Sequence, residues 1–99
     1  MPSYQDLHAA LEILDLPERA RLDEIRSRHR QLVRRHHPDA GGGDDETIRR
    51  INAAYRLLSD YCRAYRFDFS HAEFLEQCPE ERLREQFAGD PLWKGGDEG

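Results

Sequence analysis

Histidine, proline and aspartate stand side by side at positions 37, 38 and 39, between a basic run and three glycines. The His37 imidazole can donate a hydrogen bond, and the Asp39 carboxylate can accept a bidentate arginine from another molecule. Pro38 restricts the backbone between them, so less conformational entropy is lost when the segment binds. We therefore predict that these three residues make directional contacts with a partner.

The segment before this tripeptide has the periodicity of an amphipathic helix. Its apolar stripe consists of Ile25, His29, Leu32 and His36. We predict a helix near 22–36, ended by Pro38, because proline has no N–H to donate and biases the preceding residue, His37, away from helical angles. The tripeptide is thus expected at the end of a helix.

The same helix carries a row of arginines. Arg26, Arg30 and Arg34 recur every fourth residue, about a right angle or more from the apolar stripe. The formal net charge is −5, yet residues 19–37 alone carry +5 and the other residues −10. A basic segment in an acidic protein concentrates electrostatic potential, which predicts contact with an acidic partner.

The remaining patterns predict an all-α protein. A first helix is expected near 3–15, a third near 46–60 that forms an antiparallel hairpin with 22–36, and short helices near 71–77 and 79–88. The glycines and aspartates after Asp39 predict a loop at the tip of the hairpin. The expected organisation is a domain over 1–65, a helical extension over 66–94 packed on it, and a disordered tail over 95–99.

Three segments, "LEILDLPERA", "IRSRHRQLVRRHHPD" and "RINAAYRLLSD", make residues 5–60 resemble the J domain of the DnaJ-like co-chaperones. The resemblance implies docking on a DnaK-type heat-shock ATPase chaperone and stimulation of its ATP hydrolysis. It also implies a role for each matching residue. His37, Pro38 and Asp39 would be the stimulatory tripeptide, and Arg26, Arg30 and Arg34, with His29 beside them, the docking contacts.

Several positions depart from the usual pattern of that family. Histidine occupies positions 29 and 36, where tyrosine is usual; Arg28 replaces a small residue, and Asp15 replaces a glycine. Aspartate tolerates left-handed backbone angles better than most residues, so the Asp15 turn is expected to form. The usual opening of the family's fourth helix is absent after Asp60, so the end of the domain is rebuilt.

The C-terminal extension holds much of the aromatic content and has two interpretations. Its apolar residues either complete the core or form a surface for an unknown client or targeting partner. They are Phe67, Phe69, Phe74, Leu75, Leu83, Phe87, Leu92 and Trp93. A domain this small can bury little apolar surface and needs these side chains in its core, which favours the first interpretation.

Other functions remain as alternatives. A J-like scaffold would bind a partner without stimulating an ATPase. The arginine-rich helix also permits nucleic-acid binding, but the sequence pI of about 5.5 and the carboxylates at the hairpin tip disfavour it. The histidines suggest neither an enzyme nor a metal site, because His36 and His37 diverge on the helix and no phosphate loop is present. No cofactor is expected.

Cys62 and Cys78 lie sixteen residues apart without a CxxC pattern, so a zinc ribbon and a disulfide are not expected. No stretch approaches the roughly 20 apolar residues of a membrane span, and the first ten residues lack the features of a signal peptide. The expected location is therefore the cytoplasm, with no membrane partner.

Overall fold

The computed structural model describes residues 2–37 and 45–88 of the chain. These ranges contain five helices and no strand, which confirms the all-α prediction. The helices are α1 (Tyr4–Ile13), α2 (Leu22–His36), α3 (Asp45–Ala64), α4 (His71–Gln77) and α5 (Pro79–Ala88). The chain divides into two compact units, one up to Tyr65 and one from Arg66 onward.

Helix α1 begins at a reciprocal cap. The Ser3 hydroxyl accepts from the Asp6 N–H at 3.0 Å, and the Asp6 carboxylate accepts from the Ser3 N–H at 3.2 Å. This satisfies two N–H groups that no helical carbonyl can reach. The helix is shorter than the predicted 3–15, because Leu14 is already the C-cap and Asp15 turns left-handed with φ 55°.

Helix α2 has the predicted bounds. At its start the Glu24 side chain accepts from the Arg21 N–H at 2.7 Å. At its end His37 has φ −67° and ψ 138°, an extended conformation that suits a residue before proline. The helix therefore ends directly at the tripeptide.

Helix α3 continues four residues past the predicted end at residue 60. No proline or glycine interrupts residues 61–64, and Cys62 packs against the core, so the apolar stripe extends by one turn. An ion pair of 2.7 Å between Arg63 Nη1 and Asp60 Oδ1 spans this added turn. The predicted end at residue 60 was therefore four residues too early.

The core of the first unit lies where α3 packs against both α1 and α2. Its buried residues are Ala10, Leu14, Ile25, Ile51, Ala54 and Leu58. Leu14 is fully buried even though it follows the last turn of α1. Ala10 and Ala54, which the periodicity argument did not single out, are small enough to let neighbouring helices approach closely. His36 is only half-buried.

The second unit is a pair of short helices with the predicted bounds. Ser70 caps α4 by accepting from the Glu73 N–H at 3.2 Å, and Pro79 opens α5, where its missing N–H costs nothing. Two side-chain contacts join the helices: a hydrogen bond of 2.8 Å between His71 Nε2 and Glu85 Oε1, and an ion pair of 2.6 Å between Arg82 and Glu76.

No residue from 66 to 88 is buried. The packing of residues 66–94 on the hairpin therefore stays a prediction. Leu92, Trp93 and the tail over 95–99 lie outside the described residues.

Candidate partner-binding site

The predicted docking arginines form a row along α2. Arg26, Arg30 and Arg34 are all exposed, and within the described residues none of them belongs to an ion pair. Some other cations of the hairpin are paired, such as Arg49 with Glu46 and Arg63 with Asp60. The row is therefore a set of positive charges that need not break an existing pair when an acidic surface approaches.

The tripeptide continues from this row. His37 is exposed and leaves the helix axis in an extended conformation, one residue after the last turn of α2. Pro38 and Asp39 lie outside the described residues. The structure thus places the first residue of the tripeptide at the same end of α2 as Arg34.

His29 occupies a different face of α2 from the arginines. Its Nε2 atom lies 2.9 Å from Asn52 Oδ1, and its ring stacks on Tyr55 with centroids 4.0 Å apart and planes 8° apart. With a proton on Nε2, the imidazole donates to the Asn52 amide oxygen. The half-buried His29 side chain is therefore occupied by contacts with α3 and is not gathered with the arginine row.

Asn52 is a site residue that sequence reasoning missed. It follows Ile51 on the polar border of the α3 stripe, a position at which a side chain can reach a neighbouring helix. Its spacing alone does not reveal a partner, because that depends on the register between two helices. A histidine on an apolar stripe is nevertheless a sign that a polar group must lie opposite it.

Arg28 and Asp15, two residues that depart from the family pattern, contact each other. Arg28 Nη1 lies 3.2 Å from Asp15 Oδ2, with the Arg28 side chain 35% exposed and the Asp15 side chain 89% exposed. A pair this exposed is strongly screened by water. The pair nevertheless shows that the turn after α1 lies against the flank of α2 opposite Arg26.

The described residues contain no group of three or more histidine, cysteine, aspartate or glutamate side chains placed to hold a metal ion. Cys62 and Cys78 are free, half-buried thiols. No helix in the described ranges combines the length and apolar character needed to cross a membrane.

The DnaJ domain family matches residues 10–68, well over half of the chain. The chain belongs to the DnaJ domain family. This confirms the resemblance to J-domain proteins, and the matched range contains the arginine row, His29 and the tripeptide. In the DnaJ domain seen here, α2 and α3 form the helical hairpin that the residue patterns predicted.

Curated relatives carry the same domain. Over 67 residues the chain is 40% identical to "Chaperone protein DnaJ" of Caldicellulosiruptor saccharolyticus, covering 64% of this chain and 17% of the relative. It is 39% identical over 74 residues to the protein of that name from Dictyoglomus thermophilum, with 72% and 18% covered. It is 37% identical over 57 residues to a DnaJ-like protein of Mycoplasma pneumoniae, with 58% and 18% covered.

The chain spans about a sixth of the length of these relatives. The DnaJ domain match ends at residue 68, so α4 and α5 lie beyond it. No solved structure matches the chain.

Proposed function

We propose that this chain is a co-chaperone that docks on a DnaK-type heat-shock ATPase chaperone and stimulates its ATP hydrolysis. The observation that carries the proposal is the row of Arg26, Arg30 and Arg34, which is exposed, has no ion pair within the described residues, and leads to His37 at the start of the tripeptide. Membership of the DnaJ domain family supports it, because residues 10–68 include all of these positions.

In this proposal the two parts of the site act in sequence. The arginine row attracts an acidic surface of the chaperone and orients the encounter, since complementary charge raises association rates and fixes register. His37, Pro38 and Asp39 then make the short-range contacts. Such contacts favour hydrolysis only if they bind the hydrolysis-competent state of the chaperone more tightly than its resting state. The bond-breaking chemistry belongs to the ATPase, and this chain is proposed not to be an enzyme.

A single-turnover measurement tests the proposal. ATP hydrolysis by a DnaK-type chaperone is followed with the wild-type chain and with Asp39→Asn, at low and at moderate salt. We expect the wild-type chain to accelerate hydrolysis, the variant to lose most of the acceleration, and salt to weaken it. Asp39→Asn keeps the size of the side chain and removes only its charge, so a loss of acceleration in this variant reports the missing carboxylate.

Two other results would replace the proposal. Binding of both proteins without acceleration would indicate the scaffold alternative. Absence of both binding and acceleration would exclude a chaperone partner of this type and return nucleic-acid binding to consideration.

We also propose that the second unit contacts a client or a targeting partner. Several of its apolar side chains are exposed to solvent: Phe67, Phe69, Phe74, Leu83 and Phe87. Phe69, at 91%, is the most exposed of them, and its ring lies 6.4 Å from that of Phe67. Apolar side chains clustered at a surface are typical of interaction sites. Capture of an unfolded client by the wild-type chain but not by Phe69→Ser would support this role.

A further inference from the structure

The contacts of His29 determine which flank of α3 lies beside the arginine row. At 100° per residue, Arg26 lies about 60° from His29 around the α2 axis. Asn52 lies about 60° from Tyr55 around the α3 axis, in the same rotational sense. In two antiparallel helices, flanks of the same rotational sense face the same side of the pair. Asn52 and the residues next to it on that flank therefore share a side with Arg26.

The opposite flank provides an independent check. Arg28 lies about 100° from His29 in the opposite rotational sense. Its ion pair with Asp15 at 3.2 Å shows that this second flank faces the turn after α1. The end of α1 thus borders one side of the hairpin, and the arginine row lies on the other.

Helical geometry places Arg56 of α3 nearest to the level of Arg26 on this side. His29 contacts Asn52 and Tyr55, so the chain level of Arg26, three residues before His29, matches a level just beyond Tyr55. Arg56 is one residue beyond Tyr55 and four beyond Asn52, on the Asn52 flank. Packed helices have axes roughly 8–10 Å apart, which places both guanidinium groups within reach of one protein surface.

Arg56 also differs from the other arginines on that flank of α3. Arg49 has Glu46 at 3.9 Å and Arg63 has Asp60 at 2.7 Å. Arg56 is exposed and has no ion pair within the described part of the chain. It is therefore the α3 cation on this flank that is available to a partner without breaking a pair.

We propose that the chain docks through a two-helix basic face, formed by Arg26 and Arg30 of α2 together with Arg56 of α3, and that this face fits an acidic protein surface. The inference rests on the proposed function and extends its contact area from one helix to two. It makes Arg56 a contact for the acidic surface of the chaperone.

The charges around this face favour a protein over a nucleic acid. Glu46 and Asp60 lie among the α3 arginines, and the whole chain carries −5. A continuous line of phosphates would meet these carboxylates, whereas an acidic patch on a protein can match three discrete cations.

The test is the affinity of the full chain for a DnaK-type chaperone in its ATP-bound state, measured at low and at moderate salt. The variants are Arg56→Glu, Arg26→Glu as a positive comparison, and Arg50→Glu as the matched control. Arg50 is exposed on the same helix but lies about 120° away around its axis.

We expect Arg56→Glu and Arg26→Glu each to weaken binding roughly threefold to tenfold at low salt, as an exposed charge contact allows. Arg50→Glu should change binding less than about twofold. Salt should reduce the differences between variants because it screens exposed charges. The neutral variant Arg56→Gln should show a smaller loss in the same direction, and circular dichroism melts verify that each variant is folded.

Three results would overturn the two-helix face. Equal affinities of Arg56→Glu and Arg50→Glu, with Arg26→Glu weakened, would leave the proposed function standing and remove Arg56 from the site. Failure of the wild-type chain to bind would overturn the proposed function as well. Tighter binding to duplex DNA than to the chaperone, lost in Arg56→Glu, would assign the face to nucleic acid.

Discussion

The imidazole ring of His29 lies parallel to the phenol ring of Tyr55, with the ring centroids 4.0 Å apart. This stack joins the two long helices midway along the hairpin, and the 2.9 Å contact from His29 Nε2 to Asn52 Oδ1 extends it. Aromatic pairs contribute beyond the area they bury, and a neutral hydrogen bond adds a similar amount. The residue that replaces the usual tyrosine of the family therefore stabilises the hairpin.

The first prediction concerns the contribution of this stack to stability. His29→Ala removes both the stack and the hydrogen bond, and we expect the free energy of unfolding to fall by about 1–3 kcal/mol. His29→Phe keeps an aromatic ring and loses only the hydrogen bond, so its loss should be about 1 kcal/mol. Thermal melts followed by circular dichroism measure both. A His29→Ala melt that coincides with the wild type would contradict the interpretation.

The same two variants test whether His29 itself contacts the chaperone. Because its ring is occupied by α3, we expect His29→Phe to retain stimulation of ATP hydrolysis within about twofold, the range of a contact that contributes little. A large loss in His29→Phe, with stability nearly intact, would instead show direct contact with the partner.

The second prediction concerns the backbone at Asp15, where φ is 55°. Left-handed angles cost a non-glycine residue roughly 1–2 kcal/mol, and aspartate less because it can bond locally. Asp15→Gly removes this cost but also the exposed pair with Arg28, so we expect unchanged or slightly increased stability. Asp15→Ala has neither advantage and should be about 1 kcal/mol less stable than Asp15→Gly. Urea denaturation of the two variants makes the comparison, and equal midpoints would argue against it.

The third prediction separates docking from folding at Arg30. Because Arg30 is exposed and unpaired within the described residues, Arg30→Glu should change the free energy of unfolding by no more than about 0.5 kcal/mol. It should nevertheless weaken stimulation of the ATPase at low salt and flatten the dependence of stimulation on salt. Arg30→Lys keeps the charge and is the matched control. Stimulation by Arg30→Glu that equals that of Arg30→Lys would remove Arg30 from the docking contacts.

Much of the fold could be predicted because it depends on local chemistry. Pro38 and Pro79 mark an end and a start of helices, Ser70 supplies a cap, and the bounds of α2, α4 and α5 follow from them. The end of α3 could not be predicted from such local signals. Residues 61–64 have no breaking residue, and their helical state depends on Cys62 meeting the core.

In the candidate site, too, some features could be predicted from the sequence and others depend on the folded structure. The arginine row follows from a four-residue period within one helix, so the sequence alone predicts it. The partners of His29 and Arg28 depend on register and on how the turn after α1 lies against α2. Arg28 and Asp15 were each recognised as departures from the family pattern, but only the folded chain brings them together.

The last prediction concerns the approach to α4, where the Asp68 carboxylate accepts from the Ser70 N–H at 2.9 Å. This backbone hydrogen bond, together with one from the Ser70 side chain, holds the pKa of Asp68 below its ordinary value. A carboxylate whose pKa is lowered on folding stabilises the folded form above its unfolded pKa, and the contribution is lost as pH falls through the lowered value. The turn before α4 should therefore loosen as pH falls through the lowered pKa of Asp68.

Titration followed by NMR measures this directly. The Ser70 amide proton should shift together with the Asp68 carboxyl carbon, with a midpoint below that of aspartate in a short peptide. Ser70→Ala removes the smaller of the two causes, so the pKa of Asp68 should rise only part of the way to its ordinary value. Asp68→Asn should abolish the pH dependence of the Ser70 amide. A full return to the ordinary pKa in Ser70→Ala would show instead that the hydroxyl, and not the backbone N–H, holds the carboxylate.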